Sequence, residues 1–329
     1  MNEMNGNNVI LEGLDYTKRD FYIKIAKMYF IEELSQQEIS EAIGVSRSNI
    51  SKILKACRDL KIVEIRVNDT SSLGIMFQEE IKKLFDIENV IVIPSGKDEE
   101  HTKIQLGKIS ATLLDSMVED NSIIGISRGS TLYHTVTQFS PKNYMGIEVV
   151  QIVGGTGDLN LSTDGHELAR TIANKLNAGL SVLQAPLFLK SSELRDMLMK
   201  EPGISKVMKK AQKINIVLLG VGTNHEEDSA FIKAGYLTED ESRELLLKGA
   251  VGDLCGKQID INGKKFDAEL NNRFIGVDLD VLKKIPHRLC VAGGVHKAEV
   301  ILGALRGGYI NSLVTDEDAA MRILSLIKT

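Results

Sequence analysis

The clearest pattern of apolar and polar positions lies between Leu34 and Lys61, in the segment LSQQEISEAIGVSRSNISKILKACRDLK. Its apolar residues recur at intervals of three and four, which predicts two short amphipathic helices that share one small core. Those residues are Ile39, Ile43, Val45, Ile50, Ile53 and Leu54. Ser35 and Glu38 form a capping-box start for the first helix, and Gly44 follows its end. Ser46 is placed to cap a second helix that begins at the next residue and ends at Lys61.

Two helices joined by a tight turn predict a helix-turn-helix domain, whose second helix enters the major groove of DNA. The residues predicted to bind double-stranded DNA are Gln36, Ser46, Arg47, Ser48, Asn49, Ser51, Lys52 and Lys55. We expect Arg47 and Asn49 to read bases, and Lys52 and Lys55 to contact phosphates. The alternative is an ordinary helical hairpin whose charges only keep it soluble.

Charge distinguishes these two interpretations. From Val45 to Lys61 there are five basic residues and one acidic residue, a net charge of +4, whereas the whole chain carries −5. Basic charge concentrated on one predicted helix favours DNA binding.

The rest of the N-terminal region predicts supporting elements. A helix from about Asp15 to Glu32 has one apolar face, and Ile62–Val67 alternates like a short strand. The polar stretch Asn68–Ser72 is typical of a domain boundary. We therefore predict a DNA-binding domain over residues 1–67 and a second domain over residues 68–329.

Beyond this boundary, short β-branched runs alternate with helical stretches. Strands are predicted at 89–93, 122–126, 146–153, 180–184, 214–220, 288–293 and 309–314, and helices at 101–118, 165–178, 191–211, 239–248 and 296–306. This alternation predicts an α/β fold, a mostly parallel Rossmann-like sheet with helices on both faces.

Composition narrows the classes of protein. With 329 residues, 43% hydrophobic and 26% charged, the chain suits a small domain joined to a larger globular one. It has no apolar run long enough to cross a membrane and no signal-like N-terminus. Three cysteines without a CxxC pair predict reduced thiols in a cytoplasmic protein, and six scattered histidines predict no metal site.

Four predicted strands end in turns rich in Gly, Ser and Thr: GISRGST (125–131), VGGTGD (153–158), LGVGT (219–223) and VAGGVHK (291–297). In an open parallel sheet, ligands gather at the carboxyl ends of the strands, and small residues there let backbone N–H groups approach an anion. None of the turns fits a nucleotide fingerprint, so no cofactor is expected. The set favours a phosphorylated small molecule, although a single glycine turn often only permits a tight bend.

Two charged residues accompany these turns. Lys297 follows a double glycine at the start of a predicted helix and suits a phosphate or carboxylate, unless it is simply solvated. Asp253, in GAVGDLCG, suits sugar hydroxyls, unless it only caps a turn.

The ordered motifs LSQQEISEAIGVSRSNISKILK, GISRGSTL, VVQIVGG, LGVGT, AVGDLCGK, LNNRFIGV and VAGGVHKAEVILGALRGGYINSLVTDE span the chain from about Tyr22 to Thr329. As a set they resemble the SorC-type family of bacterial sugar-responsive transcriptional regulators. The resemblance implies an effector domain similar to sugar-phosphate isomerases but without catalysis. It also implies homo-oligomers, tetramers or dimers, that bind operators near sugar-utilisation genes.

By motif position, the resemblance implies that a sugar phosphate binds Ser127, Arg128, Gly129, Ser130, Thr131, Gly154, Gly155, Gly222, Thr223, Asp253, Gly293, Gly294 and Lys297. Two positions depart from the family pattern. Arg128 stands where relatives often have Trp, which removes a stacking surface and adds a cation. Val153 stands where some members carry the lysine that forms an imine with a deoxysugar phosphate, so reversible, non-covalent binding is expected.

Two other functions stay open. An active sugar-phosphate isomerase or deaminase needs a carboxylate or histidine base in its cleft, for which Asp158, Asp164 and His166 are candidates. A protein resembling a sigma factor, which touches promoter DNA only with polymerase, is the third possibility.

Overall fold

The computed structural model describes residues 16–60, 62–63, 72–157 and 161–328. The chain divides into two compact units between Asp69 and Thr70. The predicted strand Ile62–Val67 lies outside the described residues except for Ile62 and Val63, and so does most of the polar stretch before Ser72. The predicted domain boundary therefore stays a prediction.

The described part of the first unit contains three helices around a small apolar core. They are α1 (Tyr16–Phe30), α2 (Gln36–Ile43) and α3 (Arg47–Asp59). Ile25 of α1, Ile39 of α2 and the pair Ile50 and Leu54 of α3 are buried together. One apolar position per turn on each helix thus joins all three, as the spacing predicts.

The helix-turn-helix follows the predicted capping pattern. Ser35 Oγ accepts from the N–H of Glu38 at 3.2 Å, and Glu38 Oε2 accepts from the N–H of Ser35 at 2.8 Å. Gly44 ends α2 with φ +76°, a left-handed conformation that favours glycine. Ser46 caps α3 by accepting from the N–H of Asn49 at 3.4 Å. The turn geometry is therefore encoded locally.

The second unit is built on a seven-stranded parallel sheet in the order β1-β10-β9-β5-β2-β3-β4. Its strands are β1 (Asn89–Ile93), β2 (Ile123–Ile126), β3 (Glu148–Gln151), β4 (Gly179–Ser181), β5 (Ile216–Leu219), β9 (His287–Val291) and β10 (Ser312–Asp316). Along β5, Val217 and Leu219 belong to one buried cluster, whereas Ile216 and Leu218 belong to another. Both faces of the sheet are thus covered, which confirms the predicted α/β class.

The covering helices are α4 (Ser72–Phe85), α5 (Glu99–Met117), α6 (Ser130–Gln138), α7 (Gly165–Lys175), α8 (Ser192–Leu198), α9 (Pro202–Ala211), α10 (Ala230–Lys233), α11 (Glu239–Leu247), α12 (Glu269–Asn272), α13 (Leu279–Leu282), α14 (Ala298–Arg306) and α15 (Glu317–Lys328). Short 3₁₀ turns lie at Leu161–Thr163 and Val295–Lys297. The single helix predicted at 191–211 is wrong: it is two helices, because Pro202 starts α9 and cannot continue α8. None of the described helices has the length and apolar character that a membrane crossing requires.

A second, antiparallel sheet was not predicted from the sequence. It pairs β6 (Val221–Thr223), β7 (Ala250–Leu254) and β8 (Lys257–Asp260) in that order. Because β6 follows β5 after Gly220 alone, this small sheet stands at the carboxyl end of the large one. It brings Asp253 of β7 directly opposite Gly222 of β6.

The order of the large sheet creates a crevice. After β2 the chain adds β3 and then β4 on one side, whereas after β5 it adds β9 and then β10 on the other. The loops that follow the neighbouring strands β2 and β5 therefore leave in opposite directions. Such a topological switch point is where ligands bind in open α/β sheets.

Candidate functional site

A cavity of about 380 Å³ lies at this switch point. Its wall comes from the loops after β2, β5 and β9 and from the hairpin of the small sheet. Of the predicted effector-binding residues it includes Ser127, Arg128, Gly129, Ser130, Thr131, Gly222, Thr223, Asp253 and Lys297. The volume suits a small sugar derivative.

The loop after β2 presents the start of α6 to this cavity. Ser127 is buried and donates its N–H to Leu218 O at 3.2 Å, and Gly129 donates its N–H to Thr163 O at 3.0 Å. Gly129, with φ +135°, precedes α6, and no side chain caps this helix. The first N–H groups of α6 are consequently available to an anion, and the helix dipole favours negative charge there.

Asp253 forms the floor of the cavity beside Gly222. Its Oδ2 accepts from the N–H of Gly256 at 2.8 Å. Burial raises the pKa of its carboxyl to about 6, although the Gly256 hydrogen bond and the charges of Arg128 and Lys297 pull it downward. Asp253 therefore holds a fixed orientation and remains able to gain a proton near neutral pH.

The cavity wall also carries Lys297, just before α14. Burial lowers the pKa of its ammonium, and so does the charge of Lys103, whereas Glu99 and Asp228 oppose this change. Lys103 itself pairs with Glu99 at 2.7 Å. No ion pair within 4.0 Å engages Lys297 among the described residues. This cation is desolvated and free to meet an anionic ligand.

His296 also lines the cavity, and the sequence analysis did not single it out. Its Nε2 is buried without a hydrogen-bond partner, and its Nδ1 lies 3.9 Å from Asp228 Oδ2. Burial lowers the pKa of this imidazole, as does the charge of Lys297. The adjacent Lys297 was the only sequence signal, since Asp228 and Glu99 come from distant segments.

Gly154 and Gly155 do not line the cavity. The N–H of Gly154 donates to Ile275 O at 3.0 Å, and that of Gly155 donates to Ala185 O at 2.8 Å. A methyl group at Gly154 would lie 2.5 Å from Pro186 O. These two predicted effector residues are thus engaged in close packing between backbone segments.

Gly293 and Gly294 also lie outside the cavity wall. The N–H of Gly294 donates to Asp316 Oδ2 at 2.8 Å, and a methyl group at Gly293 would meet the same oxygen at 2.5 Å. Asp316 Oδ1 accepts from the N–H of Ala319 at 2.8 Å. The double glycine therefore makes room for the Asp316 carboxylate, which ties the β9 loop to the start of α15.

The residues considered as catalytic bases occupy other positions. Asp158 lies outside the described residues. Asp164 is buried and accepts from the N–H of Thr156 at 2.9 Å and from that of His166 at 2.9 Å, so it caps α7. Neither Asp164 nor His166 is part of the cavity wall. In the part of the chain that the structure describes, no three His, Cys, Asp or Glu residues are placed to hold a metal ion.

The candidate DNA-reading surface is the outer face of α3. The predicted contact residues Ser46, Arg47, Ser48, Asn49, Ser51, Lys52 and Lys55 are all exposed, and Gln36 at the start of α2 is partly buried. The opposite face of α3 buries Ile50, Leu54 and Cys57. The helix is therefore fixed by its apolar side and presents a polar, basic side to solvent, as a recognition helix does.

Comparisons with known proteins agree with both units. A family model described as "Putative sugar-binding domain" matches residues 72–325, and one described as "Sigma-70, region 4" matches residues 24–60. The deoxyribonucleoside regulator of Bacillus subtilis (strain 168) is 31% identical over 316 residues, which cover 95% of this chain and 99% of that protein. The transcriptional regulator LsrR of Escherichia coli O9:H4 (strain HS) is 30% identical over 323 residues, covering 97% and 98%.

A solved structure has the same arrangement. The full-length sorbitol operon regulator SorC from Klebsiella pneumoniae aligns with a TM-score of 0.82 and 27% identity, covering 93% of this chain and 98% of that one. A helix-turn-helix followed by a sugar-binding α/β domain defines a class of ligand-responsive transcriptional regulators. The chain belongs to the SorC family of these sugar-binding transcriptional regulators.

Proposed function

We propose that the protein regulates a carbohydrate-utilisation operon and that reversible binding of a phosphorylated sugar changes its affinity for operator DNA. The observation that supports this proposal most directly is the cavity at the switch point. It combines the uncapped start of α6 with the unpaired cation of Lys297. Backbone N–H groups together with an ammonium suit a phosphate dianion.

The remainder of the cavity suits sugar hydroxyls. Asp253 and Thr223 bring oxygen atoms to its wall, and Asp253 keeps one carboxylate oxygen outside its hydrogen bond to Gly256. A carboxylate accepts from hydroxyl groups in strong, directional hydrogen bonds. The phosphate would supply affinity, and Asp253 would select the sugar.

The proposed binding is non-covalent and needs no cofactor. Val153, which stands where an imine-forming lysine is expected in some relatives, is fully buried and bridges to Gly276. Borohydride treatment of the complex should therefore leave the mass of the protein unchanged. A trapped adduct would contradict reversible binding.

Regulation requires two arrangements of a homo-oligomer that bind the sugar phosphate unequally. One recognition helix reads only a few base pairs, so two copies on half-sites ~34 Å apart, or a multiple of that distance, would make a useful operator. We propose a dimer or tetramer that acts in the cytoplasm, where chromosomal operators lie. Light scattering and footprinting test both points, and a monomer bound at one isolated site would contradict them.

The decisive experiment is a thermal-shift screen of the full chain with sugar phosphates and their unphosphorylated parents. A ligand present at 100 times its Kd should stabilise the folded state by about 2.7 kcal/mol. The hit should then change operator affinity in a binding assay. Stabilisation by no phosphorylated sugar, or by parents and phosphates alike, would overturn the proposal.

One observation keeps a second function in consideration. Asp253 lies in the cavity with a pKa of about 6, which suits a general base. We expect no turnover of the phosphorylated sugar that binds, because Asp164 and His166, the described residues considered as bases from the sequence, are not part of the cavity wall. Conversion of the hit to an isomer, lost in Asp253→Asn, would instead establish an isomerase.

A further inference from the structure

The cavity wall contains more cations than one phosphate needs. Among the described residues, Lys103 is paired with Glu99 at 2.7 Å, and Asp228 faces His296 at 3.9 Å. Lys103 and Glu99 compensate one another, whereas the lowered pKa of His296 favours its neutral form. Of the other cations on the wall, Lys233 is exposed to solvent, whereas Arg128 and Lys297 are partly buried. None of these three takes part in the ion pairs of the described residues.

Arg128 lines the cavity, and its Nε is buried without a hydrogen-bond partner. None of the hydrogen bonds of the described residues engages its two terminal nitrogens. A guanidinium has a planar pair of terminal donors that matches a carboxylate or a phosphate.

Arg128 and Lys297 both line the cavity that contains Asp253. The charges of both cations favour the ionised form of the Asp253 carboxyl. Asp253 does not neutralise Arg128 by direct contact, because its Oδ2 is engaged by Gly256 and no ion pair joins the two side chains.

The phosphate of the proposed function uses the start of α6 and Lys297, which leaves Arg128 unmatched. An unpaired cation without its full hydration is costly unless a ligand supplies the opposite charge. We propose that the effector carries a second anionic group, a carboxylate or a second phosphate, and that Arg128 recognises it. This inference rests on the proposed function and adds Arg128 to Asp253 as a second selecting residue, one that distinguishes phosphorylated sugars by their second anionic group.

The test compares matched ligands that differ only in the second anionic group. One pair is the open-chain glucitol 6-phosphate and 6-phosphogluconate, which differ by a hydroxymethyl group and a carboxylate at C1, and the other is fructose 6-phosphate and fructose 1,6-bisphosphate. Calorimetry on the full chain should show the doubly anionic member of at least one pair binding roughly tenfold tighter or more, the usual effect of a charged hydrogen bond. The two pairs distinguish a carboxylate from a phosphate.

Three variants make the assignment specific. Arg128→Gln should remove most of this preference and change the affinity for the monophosphate less than about threefold. Arg128→Lys should retain part of the preference, because it keeps the charge without the planar donor pair. Arg170→Gln, which removes an exposed guanidinium on α7 outside the cavity, should keep the full preference and controls for general charge effects.

The outcomes separate this inference from the proposed function. If each monophosphate binds as tightly as its doubly anionic partner, the proposal of a second anionic group is wrong. The proposed function as a sugar-phosphate-responsive regulator is unaffected by that result. An equal loss for both members of a pair in Arg128→Gln would assign Arg128 to the first phosphate and overturn the inference. Binding of no phosphorylated ligand of either pair, nor of any other in the thermal-shift screen, would overturn both proposals.

Discussion

The carboxylate of Asp253 lies against the backbone of Gly222, so closely that a methyl group at Gly222 would come within 2.0 Å of Asp253 Oδ1. The two residues are paired across β6 and β7. The absence of a side chain at Gly222 therefore lets the carboxylate take its position in the candidate cavity.

Gly222→Ala should displace Asp253 and weaken effector binding about tenfold or more, with an overpacking cost of roughly 1–3 kcal/mol in stability. Calorimetry and chemical denaturation measure the two effects. The matched control is Gly203→Ala on α9, where a methyl group meets nothing within 4 Å. Equal effects of the two variants on effector affinity would contradict the role of Gly222.

The raised pKa of Asp253 predicts how the stability of the folded protein depends on pH. In the folded protein it is about 6, raised by burial above its ordinary value of 3.8. Between these values the folded state holds a proton that the unfolded state has released, so Asp253 makes stability fall as pH rises from about 4 to about 6. Asp253→Asn cannot ionise and should lack this contribution. The melting temperatures of both proteins, measured from about pH 4 to about pH 6, test this. The same pH dependence in both proteins would contradict the raised pKa of Asp253.

Arg47, on the exposed face of α3, is predicted to contact a base of the operator. Arg47→Ala should lower operator affinity by ~1–3 kcal/mol and should relax base preference at one position, because a bidentate contact distinguishes bases. Binding isotherms with a set of single-base operator variants measure this. Unchanged preference at every position would remove Arg47 from the base-reading surface.

Lys52 should behave differently, because a phosphate contact carries no sequence information. Lys52→Ala should weaken binding to all sequences alike and reduce the slope of log K against log salt by about one unit. Lys200→Ala, an exposed lysine in the other unit, serves as the control with the same loss of charge. A sequence-dependent loss in Lys52→Ala would show that Lys52 reads bases instead.

A substitution in the core of the first unit should impair DNA binding without impairing effector binding. Ile50 is fully buried with Ile25, Ile39 and Leu54. Ile50→Ala should destabilise this unit by ~2–5 kcal/mol through lost burial and a cavity. Operator binding should fail while the effector still produces its thermal shift. Loss of effector binding in this variant would show that the two units do not act separately.

Much of the helix-turn-helix follows from sequence, because its determinants are close together in the chain. The capping box of Ser35 and Glu38, the left-handed Gly44 and the cap by Ser46 each act within four residues. The apolar spacing then orients the helices, and tertiary contact with α1 only completes a core that the pattern already defines. The strands of the large sheet were located for a similar reason, since a buried parallel strand is a short run of β-branched residues.

The composition of the candidate cavity depends on tertiary structure. Nothing local indicates that β5 neighbours β2, or that β6 pairs with β7 and brings Asp253 opposite Gly222, because pairing partners are set by long-range packing. For the same reason the four glycine turns look equivalent in sequence, although the two that contain a double glycine make room for Pro186 and Asp316. The sequence by itself determined which residue types follow the strands, namely small residues and a few charged ones. Only the order of the strands in the sheet decided which of these residues lie together in the cavity.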